Sequence, residues 1–198
     1  MLRASRAGLG SALTRHSLRS GLFAVDWNGY EVFDPGLDRP LAQLRREEAR
    51  AAFDRLMAAR DQRLAQLRRL ATGNGVDLDA VDGVQRLNDW FVASVQPAPD
   101  GGGRLAKVWY SVVNDIGLFL GERAIAASGN KLRWEFFTAG KRDMAYQRHV
   151  LMGFAAPNRR YNLDPDLLVG MYGHRLVRGE NVDPEYFVKL LRAAAERS

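Results

Sequence analysis

The sequence predicts an α+β fold, a small antiparallel sheet packed by several helices, and three observations carry that expectation. Apolar residues recur at helical spacing over three stretches between residues 38 and 128, the longest an amphipathic helix over about 38–71. Two runs within about 131–154 alternate with a period of two, which is the pattern of a hairpin. Two more helices open alike, at Asp164-Pro165-Asp166 and Asp183-Pro184-Glu185, each offering an Asp N-cap, a Pro at the first helical position and an acid in the first turn.

The bulk numbers suit one domain with a substantial core: 198 residues, 46% hydrophobic and 26% charged. The chain has no cysteine, which excludes disulfides, thiolate metal sites and cysteine nucleophiles. No apolar run reaches the ~18 residues of a membrane-spanning helix, so no membrane insertion is expected. The net charge is +6, with 25 Arg against 4 Lys. A solvated cationic surface is the plain account of that balance, and attraction to nucleic acid, an acidic protein or an anionic membrane is the sharper one.

Residues 1–25 carry Arg3, Arg6, Arg15, Arg19 and His16, and the first acid is Asp26. They read as a disordered basic tail ahead of a single domain over 26–198. Their acid-free Arg/Ser composition also resembles a mitochondrial transit segment, the alternative to a cytoplasmic location. Residues 26–37 hold Trp27, Tyr30, Val32 and Phe33 between turn signals, a short strand or an extended segment clamped by its aromatics. The helix over 38–71 takes Asp38 as N-cap and Gly73 as its C-terminal glycine. Its outer face sets Arg45, Arg46, Arg50, Arg55, Arg60, Arg63, Arg68 and Arg69 against Glu47, Glu48, Asp54 and Asp61, a solvated, salt-bridged face by its i,i+3 and i,i+4 spacings.

A second helix over 77–96 presents Val81, Val84, Leu87, Phe91 and Val95 as one stripe, capped by Asp77 or Asp79. The run Pro97–Gly103 is a hinge or surface loop. The central helix, 104–128, is apolar around most of its circumference and is therefore expected between other elements. Gly117 and Gly121 share one of its faces, where a neighbouring backbone is expected to approach closely. The hairpin is expected to be covered by 77–96, 104–128 and 164–178, with 38–71 and 183–197 packed outside.

The acids of the central helix are the candidates for chemistry. Asp115 and Glu122 lie two turns apart, and Glu135 and His149 stand on the adjoining strands, so Asp115, Glu122, Glu135 and His149 are weak candidates for general acid–base work. Arg133 and Arg148 lie among them, and structural ion pairing is the plainer expectation. Lys141, Arg142, Arg148, Arg159 and Arg160 form a cationic group that suits anion binding or a solvated surface. His16, His149 and His174 lack metal-binding spacing, so no metal and no cofactor are expected. Phosphate loops, dinucleotide fingerprints and nucleophilic triads are absent.

The runs VQRLNDWF, VVNDIGLFLGE and KLRWEFFTAGKRDMAYQRHVLMGF resemble a family of small bacterial proteins of unknown function. There, a D-I-G-x-x-L-G-E helix precedes a W-E-x-x-T-x-G-K-x-D-x-x-Y-Q-x-x-V-L-x-G-F hairpin. The resemblance covers roughly 38–195 and implies a bacterial cytosolic domain, with no activity or functional residue attached. A non-enzymatic binding or accessory protein with a protein partner is the expectation. The alternatives are a small hydrolase-like enzyme using the four candidates above, and a nucleic-acid accessory protein using the Arg-rich helix.

Overall fold

The central helix organises the structure, a computed structural model that describes residues 24–198. In chain order come a 3-10 turn (Leu41–Gln43), α1 (Arg46–Gly73), α2 (Gly83–Ser94), α3 (Lys107–Ala127), β1 (Arg133–Phe136), β2 (His149–Met152), α4 (Pro165–Val177) and α5 (Tyr186–Glu196). This is the expected small α+β fold. The tail proposed for 1–25 lies outside the described residues except for its last two, of which Val25 packs against the core.

The core is mainly helix on helix. Trp109, Val112, Ile116 and Leu120 of α3 are fully buried, or nearly so, among Leu67 and Leu70 of α1, Phe91 of α2, Val169 and Tyr172 of α4 and Phe187 of α5. Aromatic rings knit this centre together: the Trp109 ring lies 5.8 Å from Phe91, and Phe187 lies 5.7 Å from Tyr172. The expected outer placement of 38–71 and 183–197 is therefore corrected. Each carries an apolar stripe too wide for solvent, and Ala49, Leu67, Leu70 and Phe187 are completely buried.

The sheet is smaller and more peripheral than expected. β1 and β2 pair antiparallel, Arg133 with Met152 and Phe136 with His149 at the two ends. The second strand, predicted from 145, begins only at His149, because Gln147 adopts a left-handed φ of 61° that breaks the alternation. A separate small cluster seats the hairpin: Leu132 and Leu151 meet Ala124 of α3 and Ala194 of α5.

Element starts also shift. α1 begins at Arg46 and not near Asp38, whose carboxylate pairs with Arg39 beside it. The helix entry is fixed instead by Glu48, which accepts the Arg45 backbone N–H at 3.0 Å. At the other end α1 continues through Gly73, and the left-handed glycine is Gly75, with φ 75°. α2 starts at Gly83, so Val81 is fully exposed and leaves the predicted stripe. Asp77 caps a turn there by accepting from Asp79 N–H. α4 starts as predicted, with Asp164 accepting from Leu167 N–H at 2.9 Å. α5 starts at Tyr186, two residues beyond Pro184, because Asp183 spends its cap on the Glu185 N–H of the preceding turn.

The segment 26–45 is an extended strap that runs antiparallel along α1. Asn74 holds the Asp26 backbone at 3.1 and 2.8 Å, Gln66 accepts from Glu31 N–H, Arg63 donates to Glu31 O, and Arg55 donates to Pro35 O. Gln147 closes the far end by donating to Leu41 O and Leu44 O.

Candidate functional site

Asp115 is completely buried and is held by α1, not by the hairpin. Arg63 grips it through two donors, Nε to Oδ1 at 2.9 Å and Nη2 to Oδ2 at 2.6 Å. The Tyr30 hydroxyl donates to the same carboxylate, and Ser111 Oγ lies 2.9 Å from that hydroxyl. Burial pushes the Asp115 carboxyl above the usual carboxylate range even though Arg63 and Tyr30 pull it down. Burial likewise pushes the Tyr30 phenol up, with Asp115 adding to it. The unit ties strap, α1 and α3 together, with Asp115 itself sealed from solvent. Arg63 was expected on the solvated face, and that placement is corrected: it shares a face with Leu56, Leu67 and Leu70 and is 3% exposed. The spacing of 7, 4 and 7 to those leucines was the signal that could have found it.

Glu122 points at different partners. It accepts from Trp134 Nε1 at 2.8 Å and faces Arg60 Nη1 at 3.3 Å. Glu135 sits 2.5 Å from Arg133 on its own strand. The four acid–base candidates are therefore not brought together: Asp115 is sealed, Glu122 and Glu135 are in separate ion pairs, and His149 stands elsewhere. Much of the arginine face of α1 is paired with acids on or next to the helix, through Arg45–Glu48, Arg50–Asp54 and Arg60–Asp61, and with Asp79 of the following turn through Arg68. Of the cationic group, Lys141, Arg142, Arg159 and Arg160 are exposed, whereas Arg148 turns inward.

That inward turn builds a polar junction. Arg148 Nε donates to Asp164, the cap of α4, and its Nη2 reaches Asp166 at 2.6 Å. Burial pushes the Arg148 guanidinium down, but Asp166 and Asp164 overcome it, and its pKa is raised. His149 beside them is 7% exposed, and its Nε2, 3.8 Å from Asp166 Oδ2, has no hydrogen-bond partner among the described residues. Burial holds the imidazole below its ordinary pKa, against the pull of the two aspartates, so it is neutral at pH 7. His149, Asp164 and Asp166 each place one ligand atom within 4.8 Å of the others. Arg148 already occupies both carboxylates, so the cluster is an ion-pair network, and a metal ion there would face a guanidinium at close range.

Next to this junction opens a cavity of about 560 Å³. Its lining is mainly apolar: Val32, Phe33, Leu37 and Leu41 from the strap, where Asp34 also lines it, and Ala52, Phe53 and Leu56 from α1. Its opposite wall is the first half of α3, through Tyr110, Ser111 and Asn114. Gln147, His149 and Asp166 also line it. Small-molecule sites have this character, about 300–1,000 Å³ with apolar walls and a few convergent polar groups. Sequence reasoning named His149 but missed the cavity, Tyr30, Ser111, Asp164 and Asp166; the last two were visible only as a helix start. No family model, curated protein or solved structure matches the chain.

Proposed function

We propose that the chain is a binding protein for a small molecule with an apolar body, taken into the cavity between the strap, α1 and α3. The observation that carries this is the cavity itself, about 560 Å³, lined mainly by apolar residues of the strap and α1 with a small number of polar and charged groups among them. Binding is favoured over hydrolysis because, of Asp115, Glu122, Glu135 and His149, only His149 lines the cavity. This reading keeps the expectation of a non-enzymatic binding protein but replaces the expected protein partner with a small ligand.

The test is titration with N-phenyl-1-naphthylamine, an uncharged fluorophore that brightens in apolar surroundings. The wild-type chain is expected to give saturable enhancement. Ala52→Leu and Ala52→Phe, which fill the cavity from α1, are expected to weaken it progressively, with the phenylalanine variant down about tenfold or more, the equivalent of ~1.4 kcal/mol. Equal saturable binding by wild type and a folded Ala52→Phe variant would place the probe elsewhere and sink the proposal.

A further inference from the structure

The strap is not held evenly along its length, and its most loosely held stretch covers the cavity. Residues 34–44 are anchored at both ends. Just before them the Phe33 N–H donates to Ser111 Oγ at 2.7 Å, and just after them the Arg45 N–H is held by Glu48. Between these anchors, among the described residues, the only backbone–backbone hydrogen bonds are the segment's own, Gln43 N–H to Pro40 O and Leu44 N–H to Leu41 O. None of residues 34–44 is fully buried, and only Leu37, Leu41 and Leu44 are half-buried. Leu37 and Leu41 line the cavity. A stretch with no ladder bond to its neighbours and no buried side chain opens locally at far less cost than global unfolding, and lids are drawn from such stretches.

Three side-chain bonds hold it shut. Arg55 Nη2 donates to Pro35 O at 3.0 Å, and Gln147 Nε2 donates to Leu41 O at 2.6 Å and to Leu44 O at 3.1 Å. Gln147 is the unusual member. It is 2% exposed, and its left-handed φ of 61° is one that a non-glycine residue keeps only where its surroundings demand it. Its N–H is fixed on Phe137 O at 2.7 Å, so the hairpin loop aims its amide at the strap. It also lines the cavity, so one residue meets both the covering segment and the space beneath it.

We propose that residues 34–44 are a lid, latched by Gln147 and Arg55, that opens to admit the ligand and closes over it; this rests on the binding function proposed above. An apolar ligand covers the cavity-facing surface of Leu37 and Leu41 only in the closed form, so occupancy favours closure.

The experiment follows N-phenyl-1-naphthylamine binding by stopped-flow fluorescence in the wild type, Arg55→Met and Gln147→Gly. Arg55 does not line the cavity, and glycine at 147 removes the amide while tolerating the positive φ. A latch holds the lid with and without ligand, so its loss is expected to raise the association and dissociation rate constants together. The rise is about threefold for Arg55→Met and about tenfold for Gln147→Gly, which loses two hydrogen bonds. Saturable binding with unchanged rate constants in either variant, or with dissociation alone faster, overturns the lid and leaves the cavity standing. The wild type decides the matter even if the variants do not fold. Chymotrypsin is expected to cut it after Leu37 or Leu41, and probe at about ten times its Kd to slow those cuts about tenfold. Cuts that are absent there, or that the probe does not slow, overturn the lid. Absence of saturable probe binding in the wild type overturns the binding function itself, and the lid with it.

Discussion

At the scale of single residues, the Arg63–Asp115 pair makes the sharpest energetic statement. Arg63 is 3% and Asp115 0% exposed, and their two hydrogen bonds join α1 to α3. Removing one member leaves a buried charge unpaired, which costs about 3–5 kcal/mol, whereas replacing both by apolar residues of similar volume is often near neutral. Asp115→Ala is therefore expected to lose about that much in chemical denaturation, and Arg63→Met with Asp115→Leu much less, because Tyr30 and Ser111 still bond each other. Equal losses in the two would show that the charges are not a coupled unit. His149 gives a second prediction. Its folded pKa is depressed by burial, so the unfolded chain takes up the proton first. The stability it contributes is complete above its unfolded pKa of about 6.5 and is lost as the pH falls from there toward the lower folded value. The wild type should lose up to about 1.4 kcal/mol per pH unit across that window, and His149→Gln should lack this component. An unchanged slope in the variant would mean that His149 does not carry it.

At the scale of elements, α3 owes its position to two glycines that serve different neighbours. A Cβ on Gly117 would stand 2.8 Å from the Asp166 backbone nitrogen, which is the close backbone approach expected from sequence. A Cβ on Gly121 would stand 2.1 Å from Trp134 Cζ2, so there a side chain and not a backbone fills the space. Gly121→Ala gains about 1 kcal/mol of helix propensity but must displace an indole that also donates to Glu122. Overpacking of this kind costs about 1–3 kcal/mol, so a net fall in melting temperature is expected, and an unchanged or higher one would refute the contact. These elements also show what a sequence reveals. α3 and the start of α4 were legible because periodicity and the Asp164-Pro165 cap are local signals. The true start of α1 was not, because Leu44 and Arg45 are extended as part of the strap. Nor was the burial of α5 evident, since its stripe alone does not say which neighbour covers it.

At the scale of the whole molecule, the strap turns a helical core into a binding architecture. It is tied to α1 at Gln66, Arg63 and Arg55, to Asn74 just past its end, and to the hairpin loop at Gln147. Between those ties it stands off from α1 and α3 and leaves the cavity. None of this is readable in one dimension: Leu41, Ala52, Asn114, His149 and Asp166 come from five separate segments. Among the described residues, no helix is long and apolar enough to cross a membrane.

The most direct measurement of the central claim is an isotope-edited nuclear Overhauser experiment on methyl-labelled protein saturated with N-phenyl-1-naphthylamine. Cross-peaks from the probe to the methyls of Ala52, Leu56 and Leu41, all on the cavity wall, are the predicted result. Cross-peaks confined to exposed methyls such as Met144 and Met171 would contradict it.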